Sequence, residues 1–363
     1  MSETSTAPAA PNNYLRVGSL AILLVLAISS TVIITTTQTM GTDFFINWLG
    51  TFLMCATPFQ IMMAVVWRHE YPGFIAKVAQ PAKGLVLTGL FLLAGVVFTP
   101  LLLYTFGQGV LSPIYIHLIV LSVPTSLFVL IVFGSWPVSQ FTSNPLIVGI
   151  GTLIYCYVLN YLIFITFFNY NFFADAPFYA ASIAPEGLFH GITALTYAVT
   201  AASCLMVFLM FDMWPVVKFC PPDKQPVFGL IATSLILIVA GIVYSIFVGF
   251  LGMEPMDYMT RGPVCIIFGA FIVDNMMQFQ LFANMQQPVK GVVKSTVCLV
   301  CAFVMFLLYE AVAPLISGMN LLGGPENNYA KEVWIATAML GVTFPTINVV
   351  SGAFDFWPFK KSS

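Results

Sequence analysis

GLVLTGLFLLAGVVFTPLLLYTF, residues 84–106, runs for 23 residues without a charged side chain. At 1.5 Å per residue, an α-helix of that length reaches about 35 Å, enough to cross the hydrocarbon core of a bilayer. Nine more runs of this kind lie at 15–38, 44–67, 113–136, 145–168, 187–214, 227–250, 262–286, 292–316 and 331–357. The run at 262–286 is the most interrupted, by Asp274, Asn275, Gln278, Gln280 and Asn284. The expected fold is all-α: a polytopic transmembrane helical bundle of about ten spans. A small polar stretch, MSETSTAPAAPNN, predicts a disordered tail over 1–13. A single transmembrane domain follows over 14–359, and a short cytoplasmic tail over 360–363. The tail has no positive n-region, so the first apolar run is expected to stay as a span.

Composition agrees. Of the 363 residues, 60% are hydrophobic and only 7% charged, against roughly 45–50% and 25% in soluble proteins. The 12 basic and 14 acidic side chains cannot cover the surface of a soluble fold of this size. No basic patch exists to displace phosphate counterions, which argues against nucleic acid as a partner. No interval between runs is long enough for an extramembrane catalytic domain.

With both termini in the cytoplasm, the inner segments hold Arg16, Arg68, Lys77, Lys83, Lys218, Lys224, Lys290, Lys294, Lys360 and Lys361. The outer segments hold only Arg261 and Lys331. That is the positive-inside asymmetry, which a miscounted span would spoil. Trp67, Trp136, Trp214 and Trp357 fall at inner span ends, and Trp48 and Trp334 near outer ones, as an aromatic belt requires. The expected location is a bacterial inner (plasma) membrane.

The inner ends of the even spans resemble one another: SWPVSQF at 135–141, MWPVVKF at 213–219 and FWPFKK at 356–361, with weaker forms YPGFIAK at 71–77 and QPVKG at 287–291. Their spacing of roughly 70 residues equals two crossings with loops, so the chain reads as up to five helical hairpins. The competing explanation is shared helix-end chemistry: Trp anchors, Pro stops the helix and Lys reaches the headgroups. Two inverted halves of five spans are a further fold analogy.

Ionisable groups inside a membrane are costly and therefore informative. Asp274 is expected near the middle of span eight, with Gln278 and Asn284 on one broad face of the same helix. Glu310 lies in MFLLYEAVAP, one turn before Pro314. These four are the candidates for a transport pathway or ion-coupling site. A hydrogen-bonded structural seam is the alternative. Of three histidines, His117 and His190 stand near the outer starts of spans four and six. With Asp175 and Glu186 from the intervening loop they form a weak candidate metal set. The aromatic loop at 169–187 is expected to lie in the outer interface or fold back over the bundle. Cys298 and Cys301 make a CLVC inside an apolar run, which reads as helix packing. No phosphate-binding glycine loop, HExxH or nucleophile elbow is present.

Three functions are consistent with this pattern. One is a membrane permease or secondary transporter for a small solute, with proton or cation coupling through Asp274 as an option. The second is a membrane-embedded oxidoreductase, or its cofactor-binding anchor subunit, using His117 and His190. The third is a structural or accessory subunit of a membrane complex. The partners expected are the lipid bilayer, a small-molecule or ion substrate, and a second copy or another membrane subunit; the cofactor is left open.

Overall fold

A computed structural model of the chain describes residues 13–176, 179–317 and 321–360. The expected tails at 1–13 and 360–363 fall outside these residues, except for Asn13 and Lys360. Ten described helices are long and apolar enough to cross a membrane. The first five are α1 (Asn13–Met40), α2 (Phe44–Val65), α3 (Ala82–Phe106), α4 (Pro113–Val132) and α5 (Pro145–Phe167). The others are α6 (Gly191–Met210), α7 (Val227–Phe250), α8 (Pro255–Met276), α9 (Val289–Ser317) and α10 (Ala330–Ala353).

The helices sort into two shells by parity. In the even helices 56 to 72% of the most apolar stretch is buried, against 17 to 33% in the odd ones. The even helices form the inner shell, α2 packing on α4, α4 on α6, α6 on α8, α8 on α10 and α10 back on α2. Each odd helix lies outside, against two inner ones: α3 on α2 and α10, α5 on α4 and α2, α7 on α6 and α4, α9 on α8 and α6, α1 on α10 and α8. Composition explains the sorting. A helix facing lipid must be apolar all round, whereas an enclosed one can carry polar groups that find partners. Gln60, Ser122, Thr125, Ser126, Thr196, Thr200 and Asn348 are buried on even helices.

Every inner helix ends in the same way, with two consecutive residues in the left-handed region. These are Arg68–His69, Gly134–Ser135, Asp212–Met213, Gln278–Phe279 and Asp355–Phe356, with φ between 45° and 65°. The turn swings the chain off the helix axis and its N–H groups bond carbonyls of the last helical turn, as His69 N does to Met63 O at 3.1 Å. At three of the five places, a glutamine before an odd helix stitches the shells together. Gln80 Oε1 accepts from Gly84 N at 3.1 Å, and its Nε2 donates to Ala353 O at 2.9 Å. Gln225 accepts from Gly229 N at 3.3 Å and donates to Val132 O at 2.9 Å. Gln287 accepts from Gly291 N and donates to Met210 O, both at 3.0 Å. One side chain thus caps an outer helix start and occupies a carbonyl at an inner helix end. The glycines permit the close approach: a Cβ on Gly84, Gly229 or Gly291 would overlap the rings of Phe354, Phe133 and Phe211.

The eighth span differs from expectation. Its helix covers Pro255–Met276 rather than 262–286, so it begins and ends earlier in the chain. The polar run after Met276 is turn, started by left-handed Gln278 and Phe279. Arg261 accordingly sits within α8, paired with Asp257 at 2.5 Å, and Lys294 within α9. Span ten likewise ends at Ala353 rather than 357.

The described part of the loop between α5 and α6 returns alongside its own start. A two-residue strand β1 (Phe168–Asn169) pairs in parallel with β2 (Phe189–His190), and Gly187 N donates to Phe168 O at 2.7 Å. Tyr170, fully buried, is the residue this fold-back inserts into the bundle.

Candidate functional site

The inner shell encloses a cavity on the molecular axis. Its larger part, about 110 Å³, lies toward the N-terminal ends of the even helices, the side that the charge rule assigns to the exterior. All five inner helices border it. α2 contributes Asn47, Thr51 and Met54; α4, His117 and Val120; α6, Leu195 and Val199; α8, Met256, Met259 and Val264; α10, Thr337, Leu340 and Gly341. A second void, about 20 Å³, continues along the axis and is again bordered by all five, among them Thr57, Pro124, Ala202, Ile267 and Phe344. Met54, Val120, Val199 and Leu340 border both parts and form the collar between them. Among the described residues, no carboxylate, lysine or arginine borders either part.

Proline shapes this region. Pro58, Pro124, Pro263 and Pro345 lie inside α2, α4, α8 and α10. A proline has no N–H for the carbonyl four residues before it. Those carbonyls belong to Met54, Val120, Met259 and Gly341, and each of these residues borders the larger cavity. Widened π-type turns at Phe128–Val132, Thr260–Val264 and Thr337–Thr343 lie close to these prolines. Such turns absorb the lost helical bonds.

Polar side chains hold the surrounding helices in register. Gln60 Nε2 donates to Pro345 O at 3.0 Å, and its Oε1 accepts from Asn348 at 3.3 Å, joining α2 to α10. Asn160 on α5 donates to Leu118 O at 2.9 Å and accepts from Thr125 at 3.1 Å, joining α5 to α4. Tyr157 donates to Cys55 O at 2.7 Å. Thr51 borders the cavity as a residue, but its hydroxyl oxygen is buried and has no hydrogen-bond partner among the described residues.

The residues expected at a coupling site stand elsewhere. Asp274 lies in the last turn of α8, not mid-span, and pairs with Lys294 of α9. The two side chains are 13% and 4% exposed, so this is a nearly dry ion pair on the seam between the shells. Gln278 is half-buried in the turn and Asn284 is exposed beyond it, so neither shares a helix face with Asp274. Glu310 pairs with Lys331 at 3.1 Å, tying α9 to the start of α10. None of the four borders the axial cavity.

At the inner ends, Asp212 accepts from Gln287 at 2.8 Å and from Lys290 at 2.9 Å. Partial burial pulls its carboxyl upward, but Gln287, Lys290 and Lys294 outweigh that and hold it below the ordinary carboxylate value. His69 packs against Gly352, and burial, reinforced by Lys83, depresses its imidazole to about 4 against the opposing Asp355.

His117 and His190 each have a separate partner. His117 Nδ1 is 2.8 Å from the Tyr170 hydroxyl, whose phenol burial pushes well up. His190 is exposed and stacks on Phe172 with ring centroids 3.9 Å apart. Asp175 and Glu186 are exposed on the loop. Among the described residues no group of three or more His, Cys, Asp or Glu is arranged to hold a metal, so the four-residue set is not assembled. The seven cysteines are free; Cys298 packs with its Sγ 3.5 Å from Ile266 O.

Sequence reasoning found His117 for a different role and did not single out Asn47, Thr51 or Thr337. The available signal was proline on four of the five even spans, which marks the helices that surround the axis. Comparison with protein-family models, curated proteins and solved structures finds no match to the chain.

Proposed function

We propose that the chain is a permease for a small uncharged solute, with both termini cytoplasmic and the pathway along the axis of the inner shell. The observation that carries this reading is the axial cavity bordered by all five inner helices, with hydrogen-bonding groups at one end and no charged wall residue. Cavities that serve small molecules are mostly apolar with a few placed polar groups. Tyr170, held by His117, is the outer lid in this reading. The collar of Met54, Val120, Val199 and Leu340 is the constriction. Asp274–Lys294 acts as a strut between shells, and the coupling role expected of Asp274 gains no support from a carboxylate that does not border the cavity. The five recurring inner turns support a chain built from five like hairpins, with the axis between them.

The test is solute flux into proteoliposomes followed by stopped-flow light scattering. Wild-type vesicles should equilibrate small uncharged solutes faster than protein-free vesicles. Val199→Trp should return the rate to the protein-free value while the protein elutes and melts like wild type. Flux no faster than in protein-free vesicles would reject the reading. An unchanged Asp274→Asn rate across pH 5 to 8 is also expected, and a strongly pH-dependent loss would restore that carboxylate to the transport step.

A further inference from the structure

We infer that His117 makes the larger part of the axial cavity a binding site for a small neutral solute whose polar group is a hydrogen-bond acceptor, the class of carbonyl compounds without N–H or O–H groups. This rests on the permease reading and names its substrate class. Tyr170 is fully buried, and its hydroxyl lies 2.8 Å from His117 Nδ1. Among the described residues that hydroxyl has no other partner. A phenol carries one O–H donor, and leaving it unpaired in a buried place is unfavourable. The Tyr170 O–H therefore donates, and Nδ1 accepts. A protonated ring would turn Nδ1 into a donor and strand the phenol proton. No carboxylate among the described residues borders the cavity to pair with such a ring. A neutral imidazole whose Nδ1 accepts carries its own proton on Nε2. Tyr170 thus sets the tautomer of His117 and makes Nε2 a donor.

That donor is open to the cavity. His117 borders the space, whereas Tyr170 does not. In a five-membered ring the Nδ1 corner stands opposite the Nε2–Cδ2 edge, so with Nδ1 turned to Tyr170 that edge faces the other way. Nε2 has no partner among the described residues and, unlike the Thr51 hydroxyl, is not sealed from its surroundings. Asn47 and Thr337 border the same space, but an amide and a hydroxyl each donate and accept, so neither selects a ligand. The His117 N–H does select, because it requires an acceptor. Leu195, Val199, Met256 and Val264 add only hydrocarbon and thioether surface, where an apolar body fits. An anion would satisfy the N–H, but no lysine or arginine among the described residues borders the cavity to balance its charge, so a neutral acceptor is favoured. The volume of about 110 Å³ is the scale of a molecule with a few heavy atoms.

Dimethylformamide, a strong acceptor with no donor, is the probe, and the purified full chain in nanodiscs is the sample. Solid-state nitrogen NMR of labelled histidine, with the His117 signals assigned by their loss in His117→Gln, should show the Nε2–H tautomer in wild type. Saturation transfer to dimethylformamide should be clear in wild type, and His117→Phe should weaken binding about tenfold, the factor that corresponds to one lost hydrogen bond. His117→Gln, which places an N–H near the position of Nε2, should keep most of the affinity, which a purely space-filling role of the ring would not predict. Tyr170→Phe frees the tautomer, so the Nδ1–H form should appear and binding should fall by less than in His117→Phe. An Nδ1–H tautomer in wild type, no saturation transfer in wild type, or equal affinity in wild type and His117→Phe overturns the inference. Binding lost in His117→Phe, without faster flux of small uncharged solutes into wild-type proteoliposomes, rejects the permease reading and keeps the site. Faster flux indifferent to His117→Phe keeps the permease and rejects the site.

Discussion

The joints between shells depend on a few residues. Gln287 caps α9 through Gly291 N, occupies Met210 O and reaches Asp212. Gln287→Leu leaves Gly291 N and Met210 O unpaired while Asp212 keeps Lys290, and a loss of about 1–3 kcal/mol is expected in detergent unfolding. Gly291→Val drives a side chain into Phe211, with a loss of about 1–3 kcal/mol by overpacking. A melting temperature equal to wild type in both would mean that this joint is not a stabilising contact. His69 adds a pH dependence. Its imidazole falls from an ordinary 6.5 to about 4, chiefly through burial, so the folded state holds it neutral where the unfolded state takes up a proton. Its stabilising contribution is complete above pH 6.5 and is lost as pH falls from 6.5 toward 4. Stability should decline over that window, and His69→Gln should flatten it. The depressed carboxyl of Asp212 acts lower, below its ordinary 3.8, so the two effects separate on the pH axis. An equally steep decline in His69→Gln would assign the window to other groups.

At the scale of elements, the buried ion pair at the end of α8 decides what Asp274 does. Lys294→Met leaves a carboxylate that is 13% exposed without its partner, and should destabilise the protein by about 3–5 kcal/mol. Lys294→Met with Asp274→Leu removes both charges and should recover most of that loss. A double variant as unstable as the single one would show that Asp274 has a second essential partner. Span eight is also where the sequence was hardest to read. Periodicity placed Asp274 mid-span because Phe279, Leu281 and Phe282 extend the apolar run past the true helix end. The stop is a backbone event, the pair of left-handed residues Gln278 and Phe279, and neither residue type advertises that conformation. Nine of the ten positions in these five turns are not glycine, so no glycine signal marked them. The Trp-Pro segments were visible as helix ends, but the turn before each was not. Ten spans were legible because lipid imposes a composition on whole segments. The cavity was not, because it depends on which faces of five separate helices meet, and no single span records that.

The whole molecule has two unlike ends. Five left-handed turns gather at one end of the inner helices, and the five inner-helix N-termini surround the cavity at the other. A shell that closes from α10 back to α2 permits this only if every even helix runs in the same direction, so each turn must face the same compartment. The expectation from positive-inside charge is that this compartment is the cytoplasm, since Arg68, Lys77, Lys83, Lys218, Lys224, Lys290 and Lys360 all lie at the turn end. Cysteine labelling of intact cells with a membrane-impermeant maleimide tests the arrangement at ten points. Background should be low, because six native cysteines are buried and Cys301 is only partly exposed. Single cysteines at the exposed positions Asp43, Gln108, Asp175, Leu251 and Glu326 should label directly. Cysteines at Arg68, Gln140, Asp212, Gln280 and Asp355, also exposed, should label only after permeabilisation. Agreement at all ten means that five hairpins enter the bilayer in one sense and that their inner helices share a single axis. One reversed position would break the parity that defines the two shells. With it would go the pathway, because a cavity bordered by all five inner helices requires all five to present their N-terminal halves to the same side.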